Sequence, residues 1–170
     1  MTKAPPWPPL RIEPLTEAHD LPALARLMAA SDPWLTLARS AEACLSVLRD
    51  HSKERYAAFQ DGTFAGLLIL NFRGVLVGYL QTVFVAPPWR GRGVGTALVG
   101  FAETRIFSRH PNVFLCVSAF NAGARRLYER LGYATVGELT DFLAAGQSEI
   151  LLRKSLGPIG SHDRRVAEGP

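Results

Sequence analysis

The chain has 170 residues, of which 48% are apolar, 9% aromatic and 20% charged, the make-up of one ordinary globular domain with a core that needs no disulfide or metal staples; disorder throughout is excluded. The longest apolar run, Phe64 to Leu70 with a glycine in it, is far short of the ~20 residues that cross a bilayer, which excludes a membrane-spanning helix. The formal charge of +4 comes from 19 Lys and Arg against 15 Asp and Glu, and nearly all the cations are arginine, whose planar fork suits phosphate.

Residues 1–9 contain four prolines and no apolar stretch of the kind a secretory signal needs, so an extended leader and a cytoplasmic location are expected. Leu10–Leu15 is predicted as a short strand, and Thr16 as the cap of a helix whose Leu21, Leu24, Leu27 and Met28 recur at helical steps. After a break at Ser31-Asp32-Pro33, a second helix is expected from Ser40, with Glu42 in its first turn and Cys44, Leu45 and Leu48 facing inward. Tyr56–Gln60 and Phe64–Phe72 are predicted strands joined by Asp61-Gly62, a pair suited to the positive φ angles of a two-residue hairpin turn. Gly74 then sets off Val75–Val85, rich in β-branched and aromatic residues and predicted as a third antiparallel strand. Beyond the loop 86–93, a helix is expected from Val94 to His110-Pro111, and Val113–Ala119 has the two-sided apolar pattern of a central strand. Asn121 is expected to cap a helix with Ala124, Leu127 and Leu131 inward, stopped by Gly132, before strands at Tyr133–Thr140 and Ser148–Arg153. The fold class is therefore α/β of the α+β type: a mixed, mostly antiparallel sheet of about seven strands with about four helices. A helical crossover joins the strand ending at Val85 to a parallel neighbour at 113–119. The folded domain is expected over 10–156, with 157–170 as a loose tail.

Cys44 and Cys116 lie in apolar segments that suit reduced, buried thiols, and the four histidines show no metal-ligand spacing, so no metal is expected. Between Asp61 and Glu103 there is no acidic residue, while Arg73, Arg90 and Arg92 fall inside that window. Within it, Arg90-Gly91-Arg92-Gly93-Val94-Gly95-Thr96 joins a strand to a helix N-terminus, where bare backbone N–H groups and the helix dipole attract an anion. Glycines let the backbone close on a phosphate oxygen and the arginines add charge at the rim, which makes a pyrophosphate cradle. A P-loop is excluded because no lysine occurs between Lys53 and Lys154, and a dinucleotide fingerprint is disfavoured by Thr96 where its third glycine would fall.

These residues resemble the GNAT superfamily of acetyl-CoA-dependent N-acetyltransferases. The family's Gln/Arg-x-x-Gly-x-Gly/Ala signature matches Arg90–Gly95, preceded by Val83-Phe84-Val85-Ala86-Pro87, and its Asn-x-x-Ala-x-x-Leu-Tyr-x-x-x-Gly-Phe/Tyr block is similar to Asn121–Tyr133. The resemblance implies a splayed pair of parallel strands at 79–85 and 113–119 that admits the pantetheine arm of acetyl-CoA. It further implies backbone contacts to that arm from Val83, Phe84 and Val85, a pyrophosphate held by Gly91 to Thr96, Asn121 against the arm, and Tyr128 near its sulfur. The implied reaction is direct attack of an amine on the thioester, with Tyr128 protonating the departing thiolate.

The implied base is missing from its usual places. Cys116 stands where relatives that acetylate protein N-termini place a glutamate, and the fourth strand offers only Tyr79 and Gln81. A lysine-like amine is neutral in only about one part in two thousand at pH 7, against roughly a tenth for an α-amine, so an acceptor of low pKa or proton removal through water is expected. Glu149 and Asp141 are the remaining carboxylate candidates, each readable as ordinary surface charge. The resemblance also implies an acceptor pocket between the first two helices and the last hairpin, a small-molecule or peptide amine acceptor, and homodimers as a frequent assembly; Trp34 is a lining candidate, although an aromatic in such an inter-helix loop is more often a core plug. The missing base makes a non-catalytic acyl-CoA-binding module the alternative. Nucleic-acid binding is not expected, because outside the loop the arginines are dispersed among acids without a recognition helix.

Overall fold

The computed structural model describes residues 10–160; the proline-rich leader 1–9 and residues 161–170 of the expected tail lie outside the described residues. Seven strands, β1 Arg11–Pro14, β2 Glu54–Gln60, β3 Thr63–Asn71, β4 Tyr79–Val85, β5 Asn112–Ser118, β6 Ala134–Thr140 and β7 Ser148–Ser155, form one sheet. Their order is β1-β2-β3-β4-β5-β7-β6, antiparallel throughout except for β4 with β5. The helices are α1 Leu21–Ala29, α2 Ala41–Leu48, α3 Val94–Phe107 and α4 Ala122–Arg130.

Four consecutive residues of β3, Leu67, Leu68, Ile69 and Leu70, are all 0% exposed, which requires cover on both faces because successive side chains point oppositely. Leu67 and Ile69 pack with Leu21, Ala25 and Met28 of α1 and Cys44 and Leu48 of α2. Leu68 and Leu70 pack with Leu98, Ala102 and Ile106 of α3, and with Leu115 and Leu152 across the sheet. The β2–β3 hairpin turns at Asp61-Gly62 with φ of 51° and 74°, as the dipeptide predicts.

Two local expectations are corrected. The cap of α1 is Asp20, whose carboxylate accepts from Ala23 N–H, with a proline inside the first turn. Thr16 instead closes its own turn, accepting from Ala18 N–H on Oγ1 and from His19 N–H on its carbonyl. The third strand starts at Tyr79 rather than Val75: Val75 is 99% exposed, and Gly78 has φ +82° with space for no Cβ, which would lie 2.5 Å from the Asn112 carbonyl oxygen. β-Branched composition alone cannot reveal that the chain must turn there to bring β4 beside β5.

The connection from α1 to α2 ends in a non-glycine residue with positive φ, Ala38 at 51°, held by Ala38 N–H to the Leu35 carbonyl and Arg39 N–H to the Trp34 carbonyl. A Cβ in this conformation costs roughly 1 kcal/mol. Ala38→Gly is expected to raise the melting temperature by about 2–4 °C in a thermal unfolding scan, the shift that ~1 kcal/mol produces in a domain of this size.

Candidate active site

The parallel pair is joined only at its start: Tyr79 pairs with Phe114, and Phe114 N–H donates to the Gly78 carbonyl at 3.1 Å. Beyond Tyr79 the two strands diverge. The divergence begins beside an irregularity in the β3–β4 ladder, where Ile69 pairs with Thr82 but Leu70 with Leu80, leaving Gln81 as an extra residue. A bulge bends and twists the strand that carries it, so β4 swings away from β5 there. Val83, Phe84 and Val85 then run along the opened edge, with Phe84 anchored in the core at 1% exposure and Val83 and Val85 half-buried.

At the end of β4 the chain passes through a short 3-10 turn, Pro87–Trp89, into the glycine-rich turn. Gly91 and Gly93 take φ of +70° and +81°, and a Cβ at either would meet nothing within 4 Å. Both glycines are thus required by backbone conformation, and open space lies beside them. Gly95 has a different cause: a Cβ there would stand 3.3 Å from Leu127 Cδ2, so it sets how closely α3 approaches α4. Gly93 caps α3, and the first helical bond is Ala97 N–H to the Gly93 carbonyl; the N–H groups of Val94, Gly95 and Thr96 have no carbonyl in the helix to meet.

The side chains of the turn divide. Arg90 donates from Nε to the Val85 carbonyl at 3.1 Å and borders the cleft. Arg92 lies over the Trp89 ring with its guanidinium carbon 5.5 Å from the centroid, and Val94 is buried in the core. Neither lines the cleft, so their contribution there is backbone and long-range charge.

Asn121 caps α4, its Oδ1 accepting from Ala124 N–H at 3.2 Å, and the residue borders the cleft. Seven residues on, Tyr128 shares that face. It is 8% exposed, its ring sits edge-on to Tyr133 at 5.6 Å, and burial raises its hydroxyl pKa well above the ordinary value, keeping the proton on at neutral pH.

The carboxylate absent from Cys116 and β4 is supplied from across the sheet. Glu149 is directly opposite Ser118 in the β5–β7 ladder, is 2% exposed, and accepts from Ser118 Oγ at 2.5 Å. Burial raises its pKa above the ordinary 4.5, and the Ser118 hydrogen bond opposes part of that rise. The alternative reading of Glu149 as surface charge is therefore corrected. Asp141 is exposed, with φ of 53°, and its carboxylate is occupied by Gly146 N–H at 2.6 Å; it is a turn residue away from the cleft.

Three cavities run in series through the splay. The first, about 550 Å³, lies between the glycine turn and α4 and is bordered by Val83, Phe84, Val85, Arg90, Gly91, Gly93, Gly95, Thr96, Asn121 and Tyr128. The second, about 140 Å³, shares Trp34, Val83, Asn121 and Tyr128 with it and reaches Tyr79, Cys116, Ser118 and Glu149. The third, about 150 Å³, shares Trp34, Tyr79 and Leu143 with the second and opens among α1 and α2. Trp34 therefore borders all three, and it also packs against the core, its ring edge-on to Phe84 at 5.7 Å. Sequence reasoning missed Ser118, Arg130 and Asp32. Ser118 was reachable, since it lies two residues beyond Cys116 and so on the same strand face. Asp32, which borders the first cavity with its carboxylate accepting from Thr36 Oγ1 at 2.6 Å, had no local signal.

Among the described residues the mixed sheet is split along its one parallel pair, with a glycine-rich turn and helix N-terminus at the mouth of the split, and this architecture agrees with the family match. Residues 15–133 match the family described as Acetyltransferase (GNAT) family, and the chain belongs to it. It is 36% identical over 93 residues to an acetyltransferase of Agrobacterium fabrum, a match covering 52% of this chain and 62% of that one; the chain thus spans less than two-thirds of that relative's length. It is 28% identical to a peptidyl-lysine N-acetyltransferase of Escherichia coli, covering 71% of this chain and 81% of the relative. In fold it is similar to a GNAT-family acetyltransferase from Desulfovibrio desulfuricans, with a TM-score of 0.71, 19% identity, and coverage of 88% of this chain and 100% of the other.

Proposed function

We propose that the chain transfers an acetyl group from acetyl-CoA to an amine acceptor by direct attack in a ternary complex. The observation that carries this reading is the pair of adjoining cavities, one at the bare N–H groups of the glycine turn and the next at the buried Glu149 carboxylate, with Tyr128 on the wall they share. The turn fits a diphosphate: Gly91 and Gly93 leave open the space a Cβ would occupy. The N–H groups of Val94, Gly95 and Thr96 would hold its oxygens, with Arg90 and Arg130 at the rim. Val83, Phe84 and Val85 would offer the unpaired edge of β4 to an amide-bearing arm, met from the other side by Asn121.

The thioester supplies the electrophile, and the chain supplies the proton traffic. Glu149, its basicity increased by burial, removes a proton from the incoming ammonium, so the acceptor need not be an amine of low pKa. Tyr128, held protonated by burial, delivers a proton to the departing thiolate. A cytoplasmic setting belongs to this proposal; no helix among the described residues is long and apolar enough to cross a membrane.

Thiol release from acetyl-CoA with a panel of amines, set beside CoA binding by calorimetry, tests the reading. Turnover on at least one amine is expected, whereas tight CoA binding without turnover on any would favour the non-catalytic module. Tyr128→Phe should lower kcat by about 100-fold, the lower end of the range for a positioned acid, while the Kd for CoA moves less than about threefold.

A further inference from the structure

We infer that the acceptor is a primary amine on an apolar body that also carries a carboxylate, and that Arg39 receives this carboxylate at the third cavity. The inference rests on the acetyl-transfer reading above and concerns the far end of the same series of cavities. That cavity has an apolar side, Met28, Ala43, Cys44 and Val47 from α1 and α2 with Leu143 from the β6–β7 loop, which fits methylenes or a ring, and a neutral polar side of Tyr79, Gln81 and Thr82 on β4. Arg39 is its only charged lining residue.

The Arg39 side chain makes no hydrogen bond or ion pair among the described residues, and the tight turn through Ala38 sets it at the cavity. Its field reaches inside, for its charge acts on the Cys44 thiol in opposition to burial. No Asp or Glu borders this cavity, and Glu149 is the sole carboxylate bordering the second.

The series of cavities is therefore negative at its centre, apolar beyond, and positive at its outer end. An acceptor of complementary polarity puts its ammonium at Glu149, its apolar body against Met28 and Val47, and its anionic group on the guanidinium, which binds carboxylates with two parallel hydrogen bonds. A diamine or polyamine would bring a second ammonium against Arg39 with no acid to neutralise it. The same chemistry can come from a free ω-amino acid, whose methylenes separate the two charges, or from a peptide whose apolar first residue is followed by an acidic one.

The test compares kcat/KM on matched pairs: 6-aminohexanoate against 6-aminohexanamide, leucyl-aspartate against leucyl-asparagine with both C-termini amidated, and an aliphatic diamine. The wild-type chain is expected to favour the carboxylate member of one pair by about tenfold or more, the scale of a charge-assisted hydrogen bond; the pair that responds identifies the source. Arg39→Ala should erase that ratio and Arg39→Glu should invert it towards the diamine, with the Kd for CoA within about twofold as evidence of an intact fold. Equal use of acid and amide, preference for the diamine, or a ratio preserved in Arg39→Ala would overturn this inference while leaving acetyl transfer standing. Absence of turnover on every amine, with CoA still bound, would overturn both.

Discussion

Glu149→Gln is expected to lower kcat by about 10²- to 10⁴-fold, the range for loss of a positioned general base, with little change in the Kd for CoA. The isosteric amide keeps the Ser118 hydroxyl as a donor to its carbonyl, so packing at the β5–β7 pair survives. The pH profile provides the independent readout. Because burial raises the carboxyl pKa above 4.5, the acid limb of kcat/KM in the wild-type chain should fall above the usual carboxylate range and vanish in the variant.

Stability should move the other way. A carboxyl with a raised native pKa binds more protons folded than unfolded between the two pKa values, so its contribution is largest at low pH and is lost as pH rises through the native value. At neutral pH the ionised, buried Glu149 therefore costs stability. Glu149→Gln should melt no lower than the wild-type chain at pH 7.5 and lose the wild-type gain on moderate acidification. A full-speed variant with an unchanged acid limb would assign the carboxylate to architecture alone.

Thr96→Glu is the second large effect, expected to weaken CoA binding by about 100-fold or more. Thr96 is exposed, borders the first cavity and sits in the first turn of α3. A carboxylate there occupies the anion site, and unit charges about 4 Å apart near a protein surface repel by up to ~4 kcal/mol. The same carboxylate interacts favourably with the helix dipole, by about 0.3–1 kcal/mol, so binding is lost without loss of fold. Gly93→Glu would also place a carboxylate in the turn, but at φ +81° it would strain the backbone and confuse the two effects. Calorimetry with CoA and a melting scan on Thr96→Glu read them separately; retained affinity would remove the diphosphate from this turn.

The two motif blocks were legible because each encodes a local backbone requirement: left-handed φ at Gly91 and Gly93, and a side-chain cap at Asn121 with Tyr128 two turns on. The hairpin at Asp61-Gly62 was legible for the same reason. The start of β4 was not, because Val75 and the residues after it carry strand-like side chains while Gly78 must turn against Asn112, a contact between segments more than thirty residues apart in sequence. The Thr16 cap failed because Asp20, with proline close behind it, begins the helix more favourably.

The buried carboxylate shows the division most clearly. Looking for a carboxylate at Cys116 or on β4 searches one strand at a time, whereas Glu149 reaches the cleft only through its ladder partner Ser118 on a strand of opposite direction. The sequence by itself determined the family, the left-handed glycine turn before α3 and the capped tyrosine helix, since these depend on residues within a turn or two of one another. Only the tertiary structure decided which carboxylate enters the cleft, where β4 parts from β5, and which charged side chain borders the third cavity, because strand register and burial join residues whose spacing along the chain carries no signal.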